Sequence, residues 1–184
     1  IQKAIDACAK AGGGIVSFKS GTYVSGAIFL KSNVHLRIDQ GVNLLGSQED
    51  ADYPSIWTRI AGIEMNWPAA LINVNDQKNV KISGGGTIDG HGEKWWARYW
   101  KLRREDYEPR GLRWAADYDA ERVRLMVIWK SSDVTVESLS LKLPGAGSLK
   151  PGDFNRVLQR AKTLPVTDLV NEVVLRSQSQ AQYA

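Results

Sequence analysis

The chain has 184 residues, with 24 Lys and Arg against 20 Asp and Glu, for a formal net charge of +4. That length suits one domain around a single core, and no apolar run approaches the ~18 residues of a membrane-spanning helix. The lone Cys8 excludes an internal disulfide and an all-Cys metal cluster. With His35 and His91 as the only histidines, no zinc site or other metal site is expected.

Residues 1–11 read as a short helix with Ile1, Ala4, Ile5 and Cys8 on one face, ended by Gly12-Gly13-Gly14. Strand-like alternation follows in residues 15–18, 23–24 and 27–30, because successive side chains of a strand point to opposite faces. Gly41 and Gly46 bracket a further strand at residues 42–45. Residues 48–68 break the pattern and read as a loop excursion carrying Trp57 and Trp67.

One unit recurs. A polar turn ending in Asn or Asp precedes a valine that opens an alternating segment at Asn33-Val34, Asn79-Val80 and Asp133-Val134. Short strands punctuated by turns at a fixed period are the mark of a stacked solenoid, with repeats of ~20–50 residues. The 46 residues from Val34 to Val80 suggest two coils, and the 54 from Val80 to Val134 require an insertion, supplied by residues 93–121. A β-sandwich also has many short strands. Sandwiches favour tight hairpins, however, and Asp89-Gly90 is the only Asn-Gly or Asp-Gly dipeptide. The solenoid is therefore the preferred reading, and the N-terminal helix suits the open end of its core.

The 93–121 insertion interleaves Lys94, Arg98, Lys101, Arg103, Arg104, Arg110 and Arg113 with Trp95, Trp96, Tyr99, Trp100, Tyr107 and Trp114. Cations beside aromatics suit nucleic acid. They equally suit an anionic polysaccharide, with Arg on sugar carboxylates and Trp against ring faces. The plainer alternative is a packed excursion whose acids neutralise its bases. Trp95, Trp96, Arg113 and Trp114 are the candidate sugar contacts, chosen for chemistry and position.

Several landmarks then fall in a familiar order. They are Gly21-Thr22-Tyr23; Ala27-Ile28-Phe29-Leu30-Lys31-Ser32-Asn33-Val34; Gly41 with Leu44-Leu45-Gly46-Ser47; the tract from Gly84 to Gly92 followed by Trp95-Trp96; and Val127-Ile128-Trp129 through Lys142. Over roughly residues 1–142 the chain resembles the N-terminal part of polygalacturonases, glycoside hydrolase family 28 in the pectin-lyase-like superfamily. The resemblance implies a right-handed parallel β-helix, inverting hydrolysis of α-1,4-galacturonide bonds in pectin, an acidic polysaccharide as partner rather than nucleic acid or membrane, no cofactor, and a secreted or periplasmic setting.

An inverting glycosidase needs one carboxylic acid to protonate the leaving oxygen and a second carboxylate to activate water on the other face. The family draws these from an Asn-Thr-Asp motif and a later Asp-Asp pair, followed by Gly-His-Gly and Arg-Ile-Lys. None stands in its place here, so no residue is assigned a catalytic role. Gly90-His91-Gly92 matches one triplet by letters but precedes the point where the acids belong, and Val166-Thr167-Asp168 echoes the first motif within a helix-like segment. Asp117 and Asp119, two apart, would share a face of a strand and could form an acid–base pair.

After Lys142 the texture changes. Asp153 reads as an N-cap, Phe154, Val157, Leu158 and Ala161 recur at helical spacing, and a second amphipathic helix follows Pro165. The organisation expected is therefore coils over 1–142 and a helical tail over 143–184, either foreign to the solenoid or a natural cap on it. Three functions remain: part of a polygalacturonase-like hydrolase that is inactive by itself, a non-catalytic acidic-polysaccharide-binding β-helix, or a Ca²⁺-dependent pectate lyase. The last is disfavoured by the lack of a dense acidic constellation on the strands.

Overall fold

The computed structural model describes residues 1–112, 115–143 and 147–149. Helix α1 (Gln2–Lys10) precedes a first coil of β1 (Gly14–Ser17), β2 (Gly21–Ser25) and β3 (Ile28–Phe29). The second coil is β4 (Val34–Arg37), β5 (Val42–Gly46), an excursion containing β6 (Ser55–Ile60) and β7 (Ile63–Pro68), then β8 (Ile72–Asn75). The third is β9 (Lys78–Ser83), β10 (Thr87–Asp89), an excursion containing α2 (Glu93–Leu102) and α3 (Ala116–Asp119), then β11 (Met126–Trp129). A fourth begins with β12 (Ser132–Val136) and β13 (Ser140–Leu143). Corresponding strands stack in parallel into three sheets, β1-β4-β9-β12, β2-β5-β10-β13 and β3-β8-β11, the right-handed parallel β-helix expected from the sequence.

The polar turns work as the repeat implied. Asn33, Asn79 and Asp133 occupy the left-handed region at φ of 63°, 56° and 53°. Asn and Asp enter it most readily, because their short side chains bond locally. Asn79 Nδ2 also donates to Asn33 Oδ1 at 3.0 Å, tying one coil to the next. The inward residues then line up as Val16, Leu36, Ile82 and Val136 on one sheet and Tyr23, Leu44, Ile88 and Leu141 on another. Leu36, Leu44, Ile82 and Ile88 are fully buried, each such burial stabilising by ~1.5–3 kcal/mol.

The coil count differs from the sequence reading. His35 pairs with Lys81, and Val80 with Val134, so Val34, Val80 and Val134 sit on successive rungs. The 46-residue spacing is one coil lengthened by an excursion, not two coils. A bare coil is the 20 residues from Gly14 to Val34, which are register partners.

The 48–68 segment is likewise more ordered than a loop. β6 and β7 form an antiparallel hairpin, closed by Ala61 and Gly62 at φ of 44° and 95°. Two central residues with positive φ are what a two-residue hairpin turn requires. Ala in the first of those positions hides the turn from a search for Asn-Gly or Asp-Gly.

Helix α1 closes the core end, with Ile5 buried and Ile1, Cys8 and Ala9 packed against the cluster. Ala4, expected on that face, points to solvent, and Ala9 takes its place. Gln2 adds a polar cap. Its amide accepts from Phe29 N at 2.8 Å and donates to Phe29 O at 2.9 Å, as a neighbouring strand would. At the other end, β14 (Gly147–Leu149) pairs antiparallel with β13, so the last parallel rung of that sheet is Asp89 with Lys142. The helices expected after Lys142 lie outside the described residues.

Candidate functional site

Both excursions leave the helix between the second and third sheets on consecutive coils, so the stacking register sets them side by side. α2 begins with Glu93 and ends with Lys101, each favourably placed against the helix dipole. Trp95, Tyr99 and Arg103, four apart, form its buried stripe. The chain then widens into a π-helical turn, Arg103–Tyr107.

Trp95 is 2% exposed, its ring edge-on to Tyr53 at 5.5 Å and its indole N–H donating to Asp50 Oδ1 at 2.7 Å. That bond, with Lys94 and Arg98 nearby, holds the Asp50 carboxyl below its ordinary pKa. No face of Trp95 is left for a sugar. Contrary to the sequence expectation, it anchors the helical excursion to the turn after β5. Trp96 is half-buried, stacked on Trp100 at 6.4 Å and edge-on to Tyr99 at 5.5 Å. Arg113 and Trp114 lie outside the described residues, as does Asp168.

The proposed acid pair does not form. Asp117 and Asp119 stand on a helical turn rather than a strand, so a two-residue step turns them to different directions. Asp117 accepts from Tyr99 Oη at 2.7 Å and pairs with Arg122 at 3.5 Å, while Asp119 accepts from Tyr107 Oη. Each carboxylate fixes a different tyrosine. His91 is also structural in its contacts: its backbone N–H donates to Asp89 Oδ1 at 3.0 Å and its ring Nδ1 lies 3.2 Å from Gly46 O. Among the described residues no three His, Cys, Asp or Glu side chains gather in a way that could hold a metal ion, and no helix is long and apolar enough to cross a membrane.

The residues that join the two excursions were missed by the sequence reading. Arg122 lies 4.6 Å from the Tyr99 ring centroid and 5.8 Å from those of Trp67 and Trp96, while Trp67 Nε1 donates to Arg122 O at 2.9 Å. Its neighbour Arg124 donates to Arg59 O at 3.0 Å and Thr58 Oγ1 at 3.3 Å, both on β6. Arg124 has no carboxylate within salt-bridge range among the described residues, and its buried Nε has no partner there. Burial, then the adjacent Arg122, pushes its pKa down to about 10. The sequence signal was the alternation Arg122-Val123-Arg124-Leu125 leading into β11, which falls just past the insertion as bounded by composition.

The site is thus an aromatic and cationic wall mounted on a parallel β-helix, an architecture of the pectin-lyase-like kind. No family model matches the chain. Among curated proteins, an exo-poly-alpha-D-galacturonosidase of Dickeya chrysanthemi is 40% identical over 102 residues, covering 51% of this chain and 17% of that enzyme. A plasmin and fibronectin-binding protein A of Streptococcus pneumoniae is 37% identical over 94 residues, covering 50% of this chain and 13% of that protein. In structure, the family 28 exopolygalacturonase of Yersinia enterocolitica matches with TM-score 0.60 and 28% identity, over 77% of this chain and 31% of that one. The chain therefore spans less than a fifth of the length of these curated relatives. Its likeness in sequence and fold to polygalacturonases, read first from the motifs, stands.

Proposed function

We propose that this chain is the N-terminal β-helical part of a polygalacturonase-like glycoside hydrolase that cleaves α-1,4-galacturonide bonds in pectin. The observation that carries this reading is the 40% identity to an exo-poly-alpha-D-galacturonosidase along the coils, on a fold with the matching strand order. In this reading the first coils supply the scaffold and a sugar-facing wall, and carboxylates outside these residues perform the chemistry. Trp96, Arg113 and Trp114 remain the proposed sugar contacts of the helical excursion. A non-catalytic acidic-polysaccharide-binding β-helix is the second reading, favoured by one observation: Asp117 and Asp119 are each committed to a tyrosine.

The test is to titrate the 184-residue chain with trigalacturonate and with neutral galactotriose, alongside a reducing-end assay on polygalacturonate. The expected result is tighter binding of the acidic sugar without release of reducing ends. Equal affinity for both sugars would sink the acidic-polysaccharide reading, and release of reducing ends would overturn the view that the chain alone does not turn over.

A further inference from the structure

The β6–β7 hairpin is not needed to close a coil, since the first coil closes in 20 residues without one. Its two faces are unlike. Thr58, Ile60 and Trp67 are buried against the body of the protein, while Trp57, the register partner of Asn66, faces solvent at 54% exposure. Asn66 is exposed beside it, and Arg59 and Glu64 are paired one step along the same face.

Three features set this face apart from an incidental exposed tryptophan. The ring is held, because Trp57 Nε1 donates to Glu64 Oε2 at 3.1 Å. Arg59, although opposite Glu64, forms no ion pair with any described residue; its guanidinium lies over the Ala61-Gly62 turn, with Nη2 3.9 Å from where a Gly62 Cβ would stand. Beneath the sheet, Arg124 places a second cation against Thr58 and the Arg59 carbonyl, again with no carboxylate partner among the described residues. Glu64 is the one acid on this face, so two arginines leave the hairpin locally positive.

We propose that the outer face of this hairpin is a binding subsite for a uronate unit of an acidic polysaccharide, with the sugar ring on Trp57, its carboxylate on Arg59 and a hydroxyl on Asn66. An indole held at one edge offers a flat apolar surface whose ordering cost is already met in the free protein. A guanidinium without a protein partner matches a carboxylate by two parallel hydrogen bonds. The site rests on the reading of an acidic polysaccharide as partner, and adds to it a contact surface on the second coil, apart from the helical excursion of the third.

The test uses the full 184-residue chain with trigalacturonate and galactotriose, comparing Trp57→Ala, Trp57→Phe and Arg59→Met by calorimetric titration. These side chains lie on an outer face, so thermal melts matching the unmodified chain will certify the fold. Trp57→Ala is expected to weaken trigalacturonate about tenfold and Trp57→Phe to restore part of that loss. Arg59→Met is expected to weaken trigalacturonate about tenfold while leaving galactotriose unchanged. If the unmodified chain prefers trigalacturonate and all three variants bind as it does, the hairpin subsite is wrong while the acidic-polysaccharide reading survives. If the unmodified chain shows no such preference, both fall.

Discussion

Gly86 offers the sharpest test of how the coils are held together. A Cβ placed there would stand 2.5 Å from Asp39 O, 2.7 Å from Ile38 Cγ2 and 2.8 Å from Ile38 O, all on the preceding coil. Ordinary contact is ~3.5 Å or more, so Gly86→Ala must part the two coils by about an ångström. Overpacking of this kind costs ~1–3 kcal/mol. The same shift stretches the bond from Gly86 N to Ile38 O, now 2.8 Å, which forfeits ~1 kcal/mol more. The expected destabilisation is ~2–4 kcal/mol, large against the ~5–15 kcal/mol of a typical domain. Gly12→Ala is the control, since nothing lies within 4 Å of its Cβ and only its φ of +99° opposes the change, at ~1–2 kcal/mol. Urea unfolding followed by tryptophan fluorescence reads both through the shift in midpoint at constant slope. A Gly86→Ala loss no greater than that of Gly12→Ala would refute the steric argument.

Three further outcomes follow from the anchoring contacts. Trp95→Phe removes the indole donor to Asp50 and is expected to cost ~2 kcal/mol with no change in oligogalacturonate affinity; a weaker affinity at intact fold would return Trp95 to the sugar site. Asp50 has a folded pKa below its ordinary 3.8, so its contribution is present above pH ~4 and disappears as pH falls through the folded value. Unmodified protein should therefore lose stability more steeply than Asp50→Asn between pH 5 and 3 in acid-titrated melts, and parallel curves would contradict that assignment. Asp117→Asn leaves Arg122, whose side chain is 12% exposed, without its carboxylate, and a loss of ~3 kcal/mol is expected in the same urea assay; Asp117→Asn melting like the unmodified chain would argue against the pairing.

Much of the scaffold was legible residue by residue. The Asn-Val and Asp-Val steps announced the rungs because a left-handed turn and the alternation after it depend only on near neighbours. The Gly84–Gly86 tract was legible as a landmark, though its physical purpose was not: Gly84 and Gly86 admit the preceding coil's Ile38 and Asp39 backbone, and no pattern inside the tract records what lies 46 residues earlier. The candidate site was read less well. Trp95 and Trp96 look alike as letters, yet α2 turns the first into the core and leaves the second half-exposed. Asp117 and Asp119 would have paired on a strand, and a helical turn separated them.

The sequence by itself determined the repeat, the direction each strand residue faces and the family likeness, because each is written within a few residues or in the order of short motifs. Tertiary structure alone decided how many coils the spacings represent, that two excursions lie together, and that Arg122 and Arg124 join them. Those depend on which residues of different coils meet. That meeting is set by hydrogen-bond register across 20 to 54 residues, where insertions change the spacing without changing the partner.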